Sequence, residues 1–474
     1  MTPATAMPVR TRQDPLRHNI ILSTDSYKLS HWRMYPPKTE YVESYFEARE
    51  GGEFRESVFF GLKYLLNTYL AGVQVTRDDI GEADQFCKQH FGQDLFNIEG
   101  WNHILDKHGG RLPVSIRAVP EGTVVPEGNV LLTITNTDPQ VPWLVNHLET
   151  LLVELWYPST VATISRENKK ILKPALERSA DSMDKLPFML HDFGFRGATS
   201  VESAALGGAG HLVNFSGTDT IAAINLIKTH YGEDMAGYSV PAAEHSTITS
   251  WGKMGETDAY RHILQQYREG IVSVVSDSWD ILYACNTIWG SELKEAVLSN
   301  PDRTVVVRPD SGHPAQMVPD VLGWLGHNFG YEINNKGYKV LPPQIRVIQG
   351  DGIDRRSLPQ IVDVVLARGW SLENLVFGSG GGLLQDCTRD TLRYAMKCCW
   401  AQIDGKSRDV TKRPASDPTK NSKSGLLKLI RKPNGTIRTV SVDDHGEDMM
   451  YEVFRDGDVW TNPGFEEIRA RADL

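Results

Sequence analysis

Several short clusters in the middle of this 474-residue chain carry residue types that bind or move charge. Gly378–Leu384 reads Gly-Ser-Gly-Gly-Gly-Leu-Leu. Such a run lets successive backbone N–H groups approach an anion, and a helix opening behind it adds a favourable dipole. Glycine is also what a tight turn with positive φ needs, but the density of glycines here favours a phosphate cradle. The site has neither a Walker A sequence nor Gly-x-Gly-x-x-Gly, so nucleotide binding of those kinds is not indicated. In Arg308-Pro-Asp-Ser-Gly, Arg308 and Asp310 stand two apart past a strand and point to one side. From there they can reach a polar ligand or pair with each other. Glu244-His-Ser-Thr sets His245 beyond another strand, and Asp277 lies at the end of the next. A histidine held by a carboxylate is a general base, a metal ligand or a phosphoryl acceptor, and residue order leaves all three open. Phe193, Arg196 and Asp219 add an aromatic ring, a cation and a carboxylate at neighbouring strand ends. The Asp-Phe-Gly at 192–194 lacks a kinase's lysine strand and His-Arg-Asp loop, and Phe193 on its own could equally be core.

The elements that must carry these residues repeat. Short β-branched or aromatic runs begin near Phe188, His211, Gly237, Val272, Thr304, Ile345 and Asn374. Each ends in a polar or glycine-rich cluster and passes into helix-like sequence. Their spacing of roughly 25–40 residues is that of one βα repeat, and segments such as 258–269 and 358–368 have apolar residues at helical spacing. About seven such strands give a parallel β/α barrel or a doubly wound sheet. Polar residues at the end of strand after strand favour the barrel, because an open sheet would gather them at one switch point. The glycine run comes late in the series, where barrels place phosphate. The expected fold is therefore α/β, an incomplete or irregular barrel over 151–394. An α+β domain built from both flanks, 20–150 and 395–474, would accompany it. In the flanks, 58–70 and 77–90 read as helices, 113–118 and 130–135 as strands, and 427–442 as a hairpin turning at Asn434-Gly435. Residues 1–19 read as a flexible tail.

Composition bounds the partners. The chain is 40% hydrophobic and 23% charged, with a net charge of −10, which argues against general nucleic-acid binding. An anionic small substrate stays compatible if Lys and Arg cluster locally, and 401–440 holds ten Lys/Arg against three Asp. Five cysteines without Cys-x-x-Cys spacing frame no zinc site and suit a reducing compartment, hence the cytoplasm. No apolar run approaches the ~20 residues of a membrane span, and no signal peptide is evident.

Taken in order, these clusters resemble the nicotinamide phosphoribosyltransferase family, a group of type II phosphoribosyltransferases. The resemblance runs from Thr24-Asp-Ser-Tyr-Lys-Leu-Ser-His-Trp-Arg-Met-Tyr-Pro-Pro through 149–163, 190–197, 217–220, 237–248, 275–280, 308–312, 347–352 and 377–385 to Thr388-Arg-Asp. It implies an enzyme that joins nicotinamide to phosphoribosyl pyrophosphate. Nicotinamide would lie between Phe193 and Tyr27, the latter supplied by the partner of a homodimer. Asp219 would accept from the carboxamide, with Arg308 and Arg196 lining the pocket. Asp310, Gly350 and Asp351 would hold the ribose, and Gly380, Gly381 and Arg389 the phosphate. Arg49, Lys397 and Lys412 would meet phosphate or pyrophosphate across the dimer interface. His245, oriented by Glu244 and Asp277, would be phosphorylated by ATP as an optional drive. Mg²⁺ would travel with pyrophosphate near Asp277 and Asp310. Two departures stand out: Ala395 replaces a serine two residues before Lys397, and the loop after Arg49 is short.

The neighbouring reading is nicotinate phosphoribosyltransferase, which shares barrel and chemistry. Asp219 separates the two, since a carboxylate welcomes an amide donor and repels nicotinate's own carboxylate. From another class, the chain could be a barrel-shaped binding or signalling protein without catalysis, which yields no pyrophosphate from these substrates. The other major phosphoribosyltransferase fold is disfavoured, because Val274–Asp280 lacks its paired acids and following Thr-Gly.

Overall fold

The computed structural model describes residues 18–416 and 421–474. All but the last two residues of the expected N-terminal tail fall outside that range. Of those two, Asn19 is held: its Nδ2 donates to the Asp79 carbonyl at 3.0 Å and to Glu82 at 3.1 Å. The chain divides into two compact units, one ending at Thr160 and resuming over Thr388–Ala472, the other comprising Val161–Cys387 with Asp473–Leu474. The long helix Trp156–Ser179 spans the first break, which lies about ten residues beyond the position expected from sequence.

The second unit is the barrel. Six parallel strands stand side by side in the order Gly217–Thr218, Leu190–Asp192, Leu375–Ser379, Ile345–Gln349, Arg303–Arg308 and Gly270–Val275. The ends of this sheet are joined through 238–242, which makes only isolated parallel bridges, Gly217 with Tyr238 and Ala242 with Ser273. Seven segments thus close a ring in chain order, six as ladders and one as an irregular link. Alternation along each strand fixes the two faces. Val272, Val274, Val305, Val307, Val347 and Phe377 are buried in one core, packed outward with helices such as Pro314–Phe329 and Ser357–Ala367. Their alternates, Ile271, Ser273, Thr304, Val306, Arg308, Arg346 and Ile348, face inward around a cavity of about 470 Å³. Barrel interiors are ordinarily filled with branched apolar layers. Here serine, threonine and arginine leave the middle hollow.

The first unit centres on a seven-stranded antiparallel sheet ordered Lys406–Asp409, Tyr394–Ile403, Thr39–Ala48, Asn129–Asn136, Val114–Ala118, Tyr451–Arg455 and Asp458–Val459. Helices Arg77–Phe91 and Ile98–His108 accompany it, the former opened by a Thr76–Asp79 capping box and closed by left-handed Gly92. The hairpin forms as expected, Leu427–Arg431 against Ile437–Ser441, with Gly435 at φ 84°. One expectation needs correction: 58–61 is not helical. Val58 pairs with Val124 in a short ladder, and Gly61 at φ 102° delays the helix to Leu62. A Cβ at Gly61 would also stand 2.6 Å from the Pro158 ring.

Candidate active site

Asp277 organises one corner of the barrel's C-terminal rim. It follows the strand Gly270–Val275, and its side chain is 5% exposed. One oxygen faces His245 Nε2 at 3.1 Å. The other accepts the Asp310 backbone N–H at 3.0 Å and the Ser311 hydroxyl at 2.6 Å. A single buried carboxylate therefore sets both an imidazole and the loop after the next strand. Behind it, Ser276 donates its N–H to the Arg308 carbonyl at 2.9 Å, while its hydroxyl accepts from Trp289 Nε1 at 3.1 Å. Trp289 in turn stacks on Tyr260 at 4.6 Å between ring centroids. His245 itself is 46% exposed, with Nδ1 3.9 Å from Asp310. Glu244 does not reach the imidazole: its carboxylate receives the Ser246 hydroxyl.

Phe193, Asp219 and Arg308 line the open cavity together. Phe193 is fixed by its N–H, which donates to the Ser379 carbonyl at 2.9 Å, and by glycines beneath its ring. A Cβ at Gly378 would fall 2.0 Å from the ring, and one at Gly350 3.3 Å from it. Asp219 hangs from Asp192, whose carbonyl accepts the Asp219 N–H at 2.9 Å. Its Oδ1 receives the Ser239 hydroxyl, and the residue lines the cavity. Arg308 Nε lies 3.7 Å from Asp310 Oδ1, an ion pair rather than a hydrogen bond. Nε has no hydrogen-bond partner among the described residues. Arg308 and Asp310 thus pair loosely, and Arg308 still lines the cavity. Arg196 sits exposed in the turn Phe195–Gly197 and is not among the cavity's lining residues.

Beneath Asp219, Asp192 is fully buried. Burial pushes its carboxyl up to about 6, opposed by the Gly194 N–H, which it accepts at 2.7 Å. Burial likewise holds His191 below the usual histidine range, with the Asp219 charge opposing. At the far end of the cavity, burial lowers Lys185 to about 8, and the Arg346 charge pushes the same way.

The glycine run divides by role. Gly378 and Gly382 are demanded by packing, the latter because a Cβ would meet the Ile353 carbonyl at 2.9 Å. No neighbour crowds Gly381, and the nearest atom to a Cβ at Gly380 would be the Phe193 carbonyl at 3.7 Å. The helix behind them, Gly381–Leu384, has only four residues, so its dipole is smaller than the sequence suggested. Gly350 and Asp351 lie on the preceding loop, tied by Gln349 Nε2 to the Asp351 carbonyl at 2.8 Å.

Tyr27, Arg49, Arg389, Lys397 and Lys412 belong to the first unit. Tyr27 is 56% exposed, edge-on to His31. Arg389 is exposed in the turn Arg389–Thr391. Lys397 is half-buried on the strand Tyr394–Ile403 and held below the usual lysine range. Burial is the main cause, the Glu149 charge opposes it, and Arg49, Lys28 and Lys412 reinforce it. Three cations thus act on Lys397 within this unit, one of them, Lys28, paired with Glu149 at 2.8 Å. Ala395 is buried beside Glu47, so a hydroxyl there would sit in a packed ladder.

Sequence reasoning passed over Ser239, Ser311, Asp192 and His191. None carries a distinctive spacing, and their importance arises only when chain segments up to 34 residues apart meet.

Residues 188–458 match the nicotinate phosphoribosyltransferase (NAPRTase) family, and residues 19–116 match the nicotinamide phosphoribosyltransferase N-terminal domain. A nicotinamide phosphoribosyltransferase of Xanthomonas campestris pv. campestris is 47% identical, covering 96% of this chain and 98% of its own. One from Acinetobacter baylyi is 33% identical, covering 96% and 97%. Among solved structures, a nicotinate-nucleotide pyrophosphorylase from Pyrococcus furiosus shares the fold at TM-score 0.59 with 16% identity, covering 96% and 95% of the two chains. Human nicotinic acid phosphoribosyltransferase does so at 0.56 with 17% identity, covering 95% and 92%. With near-full-length relatives of one name and a family-specific N-terminal domain, this chain belongs to the nicotinamide phosphoribosyltransferase family of pentosyltransferases.

Proposed function

We propose that this protein transfers the phosphoribosyl group of phosphoribosyl pyrophosphate to nicotinamide, forming nicotinamide mononucleotide and pyrophosphate in NAD salvage. The observation that carries this reading is the pairing of Asp219 and Arg308 on one cavity with Phe193. The Asp219 carboxylate suits a carboxamide NH₂, and the Arg308 guanidinium lining the same cavity suits its carbonyl. Phe193 offers a flat face on which the ring lies with its nitrogen aimed at C1. As the C1–oxygen bond to pyrophosphate breaks, positive charge grows on the ribose. Asp310 then stabilises the sugar, and Lys and Arg the leaving group.

The second aromatic face, Tyr27, and the cations Arg49, Lys397 and Lys412 come from the partner of a homodimer in this reading. The exposed Tyr27 and the mutually repelling cation cluster support it. Mg²⁺ fits beside Asp310, whose side chain is 30% exposed. It fits poorly on Asp277, whose oxygens already serve His245, Asp310 and Ser311. When bound with pyrophosphate, the ion neutralises charge on the leaving group. All five cysteines are free, and no helix among the described residues is long and apolar enough to cross a membrane. Both observations suit an enzyme of the cytoplasm.

The direct test is product identity with both pyridine bases, with and without ATP. Nicotinamide is expected to be strongly preferred; nicotinate mononucleotide formed equally fast would overturn the reading. Asp219→Ser should narrow the ratio of kcat/KM for the two bases by about 10–100-fold, the value of a charged hydrogen bond of about 1.5–3 kcal/mol. An unchanged ratio would remove Asp219 from base selection.

His245 is the acceptor for an optional ATP-driven step. With Nε2–H donated to Asp277, the Nδ1 lone pair attacks the γ-phosphorus, an N–P bond forms, and the bond to ADP breaks. ATP is expected to leave an acid-labile phosphate on the wild type and none on His245→Ala. Acid-stable label would identify a different acceptor.

A further inference from the structure

The first unit contains a convergence of metal-binding atoms that spacing in the sequence conceals. His103 and His108 are five apart on the helix Ile98–His108, about 140° around an ideal helix, so they share no face by pattern. The helix stops at Gly109, at φ 63°, and the last turn brings both imidazoles onto Asp138 from the loop after Asn129–Asn136. His103 Nε2 stands 2.9 Å from Asp138 Oδ2, and His108 Nε2 stands 2.7 Å from the same oxygen. The three atoms lie within 4.8 Å of one another. The rings are 5.7 Å apart at 69°, edges converging rather than faces stacking.

We propose that His103 Nε2, His108 Nε2 and Asp138 Oδ2 bind a divalent transition cation of the zinc class. Two imidazoles and one carboxylate select such an ion over Mg²⁺ or Ca²⁺, which prefer all-oxygen sets. Bonds of about 2.0–2.2 Å need the three atoms to part by roughly half an ångström from their present spacing. The supporting groups are built in. Asp138 Oδ1 accepts the Gln140 N–H at 2.8 Å, which leaves Oδ2 for the metal. The Asp138 carbonyl accepts Asn136 Nδ2 at 2.8 Å, and Asn136 in turn grips Glu40 and Val42. Asp138 is 5% exposed, His103 19% and His108 22%, so the carboxylate is fixed and the imidazoles reach solvent. His103 also borders a hollow of about 360 Å³, which gives water a route to the fourth position. Lys107 Nζ, 3.9 Å from Oδ2 and 61% exposed, is the competing cation and is free to swing outward. The ion would tie the end of this helix to the sheet.

The untagged full-length protein, stripped with chelator and titrated with Co²⁺, should develop the intense visible bands of tetrahedral cobalt at one equivalent per chain. Zn²⁺ should bleach them. His103→Gln, His108→Gln and Asp138→Asn should each lose the bands while keeping the wild-type circular dichroism. Wild type without bands, or variants with undiminished bands, would overturn the proposal. Should the variants fail to fold, histidine acylation of the wild type decides. Protection of His103 and His108 by Zn²⁺ supports the site, and equal labelling with and without the metal refutes it.

Discussion

Gly378→Ala is expected to lower kcat/KM for nicotinamide by about 10²-fold, the cost of displacing a reacting group by about 1 Å. The added Cβ would stand 2.0 Å from the Phe193 ring, too close for any relaxation that leaves the ring in place. Gly378 has no positive φ, so the strand itself accepts alanine and the damage is confined to the ring. Overpacking should cost about 1–3 kcal/mol of stability, leaving the protein folded. Steady-state kinetics with nicotinamide as the varied substrate, beside a thermal melt, separates the two effects. Kinetics within twofold of wild type would mean that Phe193 does not position the base.

Asp277→Asn should be the most damaging isosteric change to the proposed phosphohistidine step. The amide oxygen can still accept from Asp310 and Ser311, so the loop survives. Its NH₂, however, must face His245 Nε2 and donate to it, which moves the imidazole proton to Nδ1 and removes the lone pair that attacks phosphorus. In a Ser-His-Asp triad the same exchange costs about 10⁴ in rate through the wrong tautomer. His245 is half exposed and can rotate, so a fall of about 10² in the rate of acid-labile phosphate formation is expected. Asp277→Ala should instead unfold at lower temperature, by about 2–4 kcal/mol, because it leaves three donors without their acceptor. Labelling of the asparagine variant at the wild-type rate would show that Asp277 does not set the tautomer.

The barrel was legible because its strands are marked twice, by β-branched runs and by polar ends, and all seven marked segments take their place in the ring in chain order. Clusters at strand ends were legible for the same reason: Phe193, Asp219 and Arg308 share one cavity, and Asp277 gathers His245 and Asp310. What the cavity itself looks like was not. Ser273, Thr304 and Arg346 read as ordinary strand residues, and only closure of the sheet turns their side chains toward a common hollow. Val58–Gly61 misled because its apolar spacing suits a helix, while a distant ladder partner at Val124 decides otherwise. Asp138 stands about thirty residues beyond the histidines it meets, with no motif to announce it. Residues such as Ser239 matter through a single contact across the fold, and a single contact leaves no periodic trace.

The irregular link at 238–242 has a consequence for how ligands come and go. Four backbone hydrogen bonds hold it, from Thr218 to Tyr238, Tyr238 to Ser216, Ala243 to Ser273 and Ser273 to Pro241, where Gly270–Val275 and Arg303–Arg308 run as a continuous ladder. Local opening is easiest where backbone pairing is sparse, so this segment is expected to part before the long ladder of Gly270–Val275 with Arg303–Arg308. Ser239 rides on it, and the Asp219 carboxylate is released from its tether whenever it parts. Base exchange would then proceed by a local excursion of one wall while the buried valines of Gly270–Val275, Arg303–Arg308 and Ile345–Gln349 stay packed.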